Sequence, residues 1–197
     1  MRILSVIIFV FFCSAIYAQK ATERWDSKNY IYSNFEYGFS WSLPCDVVWK
    51  RIIGTEKHTV FKIVQPDTNI TVFVNANKIE SKDAKNADIW KVYDTIVKNS
   101  KKYDELVEKN TGMKTLSHTF EKCLFCGQHA YKTYHHGLLK DDRYSKPLEI
   151  VSFSYSYAHN GYTFMITVKS NKDVYDEVKS YVKDIFKGYN IVNQYTR

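Results

Sequence analysis

A Cys-x-x-Cys pair, Cys123 and Cys126, is the sharpest chemical feature of the sequence. In an oxidising compartment, two cysteines at this spacing can form a structural disulfide or act as a thiol–disulfide redox pair. A redox pair of the thioredoxin type lies at the start of a helix, whose dipole lowers the pKa of the first thiol. Here Gly127 and a strand-like run follow the pair, so the sequence favours a structural role over a catalytic one.

Cys45 is a third candidate for disulfide formation. Residues three apart in an extended chain are separated by about 10 Å, whereas a disulfide needs Cα atoms within about 7 Å. A bond between Cys123 and Cys126 therefore requires a turn at Leu124-Phe125. Cys13 lies in a predicted export signal, so the mature chain keeps an odd number of cysteines and at least one is left over or pairs between molecules. We expect a structural disulfide between two of them; inert thiols and a redox pair are the alternatives.

Histidines close to the cysteine pair raise the question of a zinc site. The candidate ligands are Cys123, Cys126, His129 and His135, with His136 beside them. Zinc sites usually combine two closely spaced ligand pairs, whereas this segment has one pair followed by loosely spaced histidines. On a strand, His129 and His135 share a face and His136 points away, so the five cannot converge without a bend. Hydrogen-bonded strand histidines are the simpler interpretation, and we expect no metal or cofactor.

Tyrosines are unusually abundant, with 16 in the chain. Five in the second half form a candidate binding surface: Tyr131, Tyr134, Tyr155, Tyr157 and Tyr162. A tyrosine combines an apolar ring with a polar hydroxyl, which suits peptide and carbohydrate grooves. The alternative is that the rings pack between a sheet and its helices with the hydroxyls at the rim. The alternation of Tyr155 and Tyr157 with Phe153 favours this second interpretation.

Motifs of common enzyme classes are absent from the sequence. It contains no Gly-x-Ser-x-Gly elbow, no His-Glu-x-x-His, no phosphate-binding glycine loop and no dinucleotide fingerprint. Its acidic residues lie mostly on predicted solvated helix faces, and no pair stands out as the two carboxylates of a glycosidase. The sequence therefore predicts binding rather than catalysis.

Composition and the first residues indicate an exported globular protein. With 16% aromatic residues, seven glycines and three prolines, the chain is neither collagen-like nor disordered, and a mean hydropathy of -0.39 excludes a polytopic membrane protein. Arg2, the apolar run 3–12 and a small-residue stretch ending at Ala18 are typical of a secretory signal peptide. The run is shorter than the roughly 20 residues of a spanning helix. We predict a periplasmic or secreted protein without a stable membrane span after cleavage; an uncleaved anchor is the alternative.

The basic charge does not indicate nucleic acid as a partner. The formal net charge of +7 falls by one when Arg2 is removed with the signal peptide. The lysines are spread along the chain and interleaved with acids, as in residues 98–105, whereas a nucleic-acid site is more one-sided. We expect a solvated surface with weak attraction to anionic envelopes or glycans.

Secondary structure in the first half alternates from strands to a helix. Period-two alternation predicts three strands: residues 37–43, 59–65 and 70–79. The turn sequence Pro66–Asn69 predicts a hairpin between the last two. Apolar residues at three- and four-residue steps from Ile89 predict an amphipathic helix. It ends near Gly112 either as one helix or as two pieces broken near Asn99-Ser100.

The second half repeats the order of strands followed by a helix. The predicted strands are residues 114–122, 129–139, 151–157 and 164–168. Asn160-Gly161 predicts a tight hairpin turn, and residues 170–173 resemble a capping box that opens a helix ending at Gly188. Hairpin strands are adjacent, so we predict an α/β protein of the α+β type, with a largely antiparallel central sheet sandwiched between helices.

The domain boundaries follow from these elements. We predict a signal peptide over residues 1–18, a loose lead-in over 19–34, a single domain over 35–190 and a C-terminal tail over 191–197. About 180 residues remain after cleavage, which is enough for one domain with its own core.

Four features of this pattern resemble the PsbP-like family, named for an extrinsic subunit of photosystem II. They are the run Tyr37–Pro44 followed by Trp49, the helix after a hairpin, the segment Gly127–Tyr131, and the Tyr-rich hairpin with terminal helix over Ser152–Phe186. The resemblance covers about residues 35–190 and implies a sheet between helical layers and a non-enzymatic accessory or partner-binding role. It transfers no functional residue, and nothing in the sequence suggests photosynthesis.

Together these observations predict an exported protein that binds a protein or small ligand in the envelope without catalysis. A thiol–disulfide redox protein using Cys123 and Cys126 is one alternative. A zinc-binding envelope protein is the other.

Overall fold

The computed structural model describes residues 22–53, 57–80, 84, 87–140 and 146–192. The predicted signal peptide and the last five residues of the predicted tail lie outside these residues. The described chain forms two compact units, one from residues 22–43 and 190–192 and one within residues 44–189. None of the helices in these residues is long and apolar enough to cross a membrane.

The smaller unit is built on a four-stranded sheet in the order β1-β2-β3-β11. Its strands are β1 (Glu23–Asp26), β2 (Ile31–Asn34), β3 (Phe39–Ser42) and β11 (Tyr189–Ile191). The first three pair antiparallel.

The loose lead-in predicted over residues 19–34 is wrong, since β1 and β2 lie within it. Tyr32 is fully buried, its ring contacts Phe39 at 5.6 Å, and its hydroxyl donates to Glu23. The strand predicted from residue 37 begins at Phe39, because the Asn34 side chain accepts the backbone N–H of Tyr37 and holds the chain in a turn. Four-residue strands give too little alternation to be predicted from sequence.

The larger unit contains a seven-stranded antiparallel sheet in the order β4-β5-β6-β10-β9-β8-β7. Its strands are β4 (Lys50–Arg51), β5 (Thr59–Gln65), β6 (Ile70–Lys78), β7 (Met113–Phe125), β8 (Gln128–Leu139), β9 (Leu148–His159) and β10 (Tyr162–Asn171). The predicted largely antiparallel central sheet is confirmed.

Tight turns connect the strands of this sheet as the sequence predicts. Asn160 and Gly161 have φ values of 48° and 82°, which a two-residue turn of type I′ requires and which Asn-Gly tolerates. Asn69 closes the β5–β6 turn with a φ of 56°. A second positive-φ pair, Cys126 and Gly127, joins β7 to β8.

Three helices accompany the sheet in the described residues: α1 (Ile89–Lys98), α2 (Ser100–Thr111) and α3 (Lys172–Lys187). The first predicted helix is therefore broken at Asn99, and Asp88 caps α1 by accepting the N–H of Trp90. The predicted capping box before α3 is wrong. Ser170 still pairs with Val151 in the sheet, and Asn171 at the N-cap makes no side-chain capping bond.

Helices α1 and α3 cover opposite faces of the large sheet. Tyr131, on one face of β8, donates a hydrogen bond to Asp94 of α1. Residues of the opposite face pack on α3, as the 5.0 Å ring contact between Tyr155 and Phe186 shows. The predicted arrangement of a sheet sandwiched between helices is confirmed, and the β7 edge of the α3 face carries the site described next.

Candidate functional site

The strongest candidate for a binding surface in the large unit is a groove between α3 and strands β7–β9, called here the α3 groove. Two adjoining cavities of about 450 and 430 Å³ form it. Its floor comes from the strands, with Thr119, Glu121, Phe125, Lys132, Tyr134, Phe153 and Tyr155. Its wall comes from α3, with Lys172, Tyr175, Asp176, Lys179, Val182, Lys183, Phe186 and Lys187.

Strand register brings the floor residues together. Tyr134 pairs with Phe153 and Lys132 pairs with Tyr155, so all four side chains project from the α3 face of the sheet. Ala130, two residues earlier on the same face of β8, has only a methyl group. Phe125 of β7 therefore reaches across β8 and stacks on Tyr155 of β9, with ring centroids 4.3 Å apart.

The floor is an aromatic cluster that α3 covers only in part. Phe186 of α3 is 6% exposed and meets Phe153 and Tyr155 at 5.5 and 5.0 Å. Tyr175 of α3 meets Tyr134 at 6.0 Å. Phe153, Tyr155 and Tyr134 are half-buried, so apolar ring surface remains in contact with solvent at the centre of the groove.

Lysines surround this floor, and they differ in their partners. Lys132 donates to Glu121 at 2.9 Å and lies 5.8 Å from the centroid of Phe153; the hydrogen bond to Glu121 raises the pKa of Lys132. On α3, Lys172 pairs with Asp176 and Lys187 with Asp184.

Lys179 and Lys183 lie between these pairs on α3. Both are exposed, and neither makes an ion pair with another described residue. The centre of the groove therefore carries two positive charges that the described part of the chain does not neutralise.

The sulfurs of the Cys-x-x-Cys pair have separate environments. Cys123 is half-buried on the floor side of β7, where burial and the Glu121 carboxylate raise the pKa of its thiol. Cys126 lies in the β7–β8 turn, and its Sγ donates to the carbonyl of Tyr189. A thiol that stays protonated is a poor nucleophile, so Cys123 is not activated as the attacking cysteine of a redox site would be.

The described cysteines Cys45, Cys123 and Cys126 form no disulfide, so the expected structural disulfide is not present in this structure. A Cys123–Cys126 bond requires a turn at Leu124-Phe125, but both residues continue β7. The chain turns one step later, at Cys126 and Gly127.

The candidate zinc ligands do not come together. His129 stacks on Trp90 with ring centroids 3.7 Å apart, whereas His135 lies beside Thr115, at 3.1 Å. These two histidines are separated by about 20 Å along β8, on the face opposite Cys123. Among the described residues, no group of three or more His, Cys, Asp or Glu side chains could hold a metal ion.

The five candidate tyrosines divide between different environments. Tyr134 and Tyr155 line the α3 groove, as the candidate binding surface requires. Tyr157 is buried, with its hydroxyl 2.5 Å from that of Tyr189, and Tyr131 is buried under α1 on the opposite face. Tyr162 lies at the β9–β10 hairpin. The rings of Tyr131 and Tyr157 are therefore packed against other elements, and the Tyr157 hydroxyl is buried rather than at the rim.

Sequence reasoning missed the lysines of the groove and the rings of Phe125, Tyr175 and Phe186. The spacing of Lys179, Lys183 and Lys187 at four-residue steps was the available signal, because it places them along one side of a helix. Which strands lie beside that side depends on the sheet order, which the sequence does not show.

Two other cavities of the large unit are more polar. One, of about 300 Å³, is lined by Thr59, Lys62, Thr71 and Lys169 around Phe73, among others. The other, of about 370 Å³, lies at the start of α1 and includes Asp88, His129 and His159. Neither combines an aromatic cluster with unneutralised cations, which is why the α3 groove is the stronger candidate.

Comparisons with known proteins identify the fold. The sequence matches no protein-family model and no curated protein. The solution structure of cyanobacterial PsbP (CyanoP) from Synechocystis is similar, with a TM-score of 0.53 and 12% identity over 88% of this chain and 95% of that chain. The structure of LpqN, described as involved in cell envelope biogenesis of Mycobacterium tuberculosis, has a TM-score of 0.46 and 11% identity over 79% of this chain and 83% of that one. The predicted PsbP-like fold is confirmed.

Proposed function

We propose that this protein, which has a PsbP-like fold and carries the α3 groove, is an exported accessory protein. It binds a partner in that groove and does not turn over a substrate. The observation that supports this most directly is the half-buried aromatic floor bordered by Lys179 and Lys183. Covering apolar rings releases water from them, and the two lysines attract an anion. The groove therefore suits a ligand with both apolar and anionic parts.

The reactive groups near the groove are held in states that oppose catalysis. The Cys123 thiol has a raised pKa, and burial also raises the pKa of Tyr155. Glu121, whose carboxylate lies in the floor, accepts a hydrogen bond from Lys132. A nucleophile needs a pKa close to the working pH, whereas the pKa values of the Cys123 thiol and the Tyr155 hydroxyl are raised.

Binding of a probe with the expected chemistry tests the proposal. The probe 1-anilinonaphthalene-8-sulfonate combines aromatic rings with one negative charge, and its binding to residues 19–197 is followed by fluorescence and by amide chemical shifts. We expect saturable binding, with shifts centred on Tyr155 and Lys179, and weaker binding to a Lys179→Ala/Lys183→Ala variant.

The matched control is Lys101→Ala/Lys109→Ala, which removes two lysines of α2 that are also exposed. Equal loss of binding in both variants would show that the probe responds to net charge rather than to the groove. Turnover of generic ester or thiol–disulfide substrates by the wild type would refute a purely binding role.

Export and domain organisation are further proposals that rest on the sequence. We infer that residues 1–18 are removed during secretion and that the folded part of the chain includes β1 and β2. N-terminal sequencing of the protein recovered from the periplasm or medium is expected to start at Gln19. A start at Met1 in a membrane fraction would instead support a retained anchor.

A further inference from the structure

We propose that the occupant of the α3 groove is an extended acidic segment of a partner protein, whose carboxylates at alternate positions pair with Lys179 and Lys183 while its intervening apolar side chains rest on the aromatic floor. This inference rests on the proposed function of the groove. It adds the chemistry, conformation and spacing of the ligand.

The spacing of the lysines matches an extended chain. Four residues of α-helix advance by about 6 Å, which separates Lys179 from Lys183 along α3. Two residues of extended chain advance by about 6.6 Å, so carboxylates at positions i and i+2 can meet both ammonium groups. The residue between them then points the opposite way, towards Phe153 and Tyr155.

The length of the groove suits a short segment. From Lys172 to Lys187 the helix advances by about 22 Å, and about seven extended residues cover that distance. Lys172 and Lys187 at the two ends already pair with Asp176 and Asp184. The acidic residues of the ligand are therefore expected at the centre of the segment, opposite the two lysines without such partners.

A lipid or fatty acid fits the same groove less well. Such a ligand carries one charged group at its end, whereas the groove offers two separate ammonium groups, those of Lys179 and Lys183, about 6 Å apart along α3. An acyl chain also needs a continuous apolar channel, and the ion pair of Lys132 with Glu121 interrupts the floor between Phe153 and the β7 edge. Alternating polar and apolar contacts are what an extended peptide offers.

Three seven-residue peptides with blocked ends test the inference. The first, Ser-Leu-Glu-Phe-Glu-Leu-Ser, has carboxylates at alternate positions. The second, Ser-Glu-Glu-Leu-Phe-Leu-Ser, has the same composition with the carboxylates adjacent, and the third replaces both Glu by Gln. Binding to residues 19–197 is measured by fluorescence anisotropy at about 50 mM and about 300 mM salt, because the higher concentration screens exposed charges more strongly.

We expect the first peptide to bind about tenfold more tightly than the third at low salt, since two exposed ion pairs of moderate strength multiply to this factor. We expect it to bind about threefold more tightly than the second, which keeps one of the two pairs. The advantage is expected to shrink at high salt. It is also expected to vanish in Lys179→Ala/Lys183→Ala and to persist in Lys101→Ala/Lys109→Ala. Equal binding of the first two peptides would overturn the alternating geometry and with it the inference.

Cys123 reports where the peptide lies. In a Cys45→Ser/Cys126→Ser background it is the remaining described thiol, and it lies two residues before Phe125 on the floor side of β7. Its rate of alkylation by iodoacetamide is expected to fall severalfold when the first peptide is bound. An unchanged rate at saturation would place the peptide elsewhere and refute the inference.

The outcomes separate this inference from the proposed function. Binding of the anilinonaphthalene probe that depends on the lysines, without binding of the first peptide, would overturn the peptide ligand and leave the groove as a binding site. Displacement of that probe by phosphatidylglycerol vesicles but not by the peptide would also overturn it, in favour of a lipid. Absence of both probe and peptide binding would refute both proposals.

Discussion

Replacement of Phe186 by alanine tests whether α3 and the aromatic floor form one packed unit. Phe186 is 6% exposed and contacts the rings of Phe125, Phe153 and Tyr155. Deleting a buried phenylalanine side chain costs about 3–5 kcal/mol, because burial is lost and a cavity remains. In a protein of this size each kcal/mol corresponds to about 2–4 °C of Tm, so we expect Phe186→Ala to lower Tm by about 6–20 °C.

Urea unfolding of residues 19–197, followed by circular dichroism, measures the free energy of unfolding directly. Phe186→Leu retains most of the side-chain volume, and we expect it to lower the free energy of unfolding by less than about 1.5 kcal/mol. We also expect it to weaken binding of the anilinonaphthalene probe, because the ring edge towards Tyr155 is lost. The matched control is Leu124→Ala, at a residue 69% exposed, with an expected change within about 0.5 kcal/mol. If Phe186→Ala costs no more than this control, α3 does not pack on the floor as described and the reasoning fails.

Three further predictions concern the core and its edges. Ser154 and Thr167 form a buried hydrogen bond of 2.9 Å across β9 and β10. Ser154→Ala is expected to lower the free energy of unfolding in urea by about 1–3 kcal/mol, because the Thr167 hydroxyl is left without its partner. The double variant Ser154→Ala/Thr167→Val is expected to lower it by less, because neither hydroxyl of the pair is then left unsatisfied. Burial lowers the pKa of His135 and of His159, so the unfolded chain binds more protons as pH falls below about 6.5. The free energy of unfolding is therefore expected to decrease as the pH falls from about 7.5 to about 5.5. An equally large decrease in the His135→Gln variant would contradict the role of His135. Asp88→Ala removes the α1 cap and is expected to lower the unfolding free energy by about 1 kcal/mol, whereas no change would show that the bond to Trp90 contributes nothing.

Local sequence patterns predicted the elements in which buried residues recur at a regular spacing. Strand β5 has the predicted bounds, because alternate side chains such as Phe61 and Ile63 are buried. Asn160-Gly161 forms the predicted turn because its two positive φ values are a local requirement. The break between α1 and α2 lies at Asn99, where the sequence left open whether one long helix continues or two pieces form.

Non-local contacts decided what the sequence did not predict. Strand β2 forms because Tyr32 is buried by strands beside it, which four residues of alternation cannot reveal. The start of α3 is displaced because Ser170 is retained in the sheet by pairing with Val151. The same limit applies to the groove: Tyr134 and Tyr155 were visible as tyrosines, but their meeting with Lys179 depends on strand order and on the side of α3 that faces the sheet.

The small side chain of Ala130 leaves room for Phe125 in the groove floor. Because this side chain is small, Phe125 on the edge strand can stack on Tyr155 two strands away, and α3 closes over the rings that result. A leucine or phenylalanine at this position would occupy the space of that stack and separate β7 from the aromatic cluster. Among proteins that share the fold, the size of the residue at this position therefore offers a simple criterion: chains with alanine or glycine there can build the same floor, and chains with a large side chain are expected to have lost it and to bind differently.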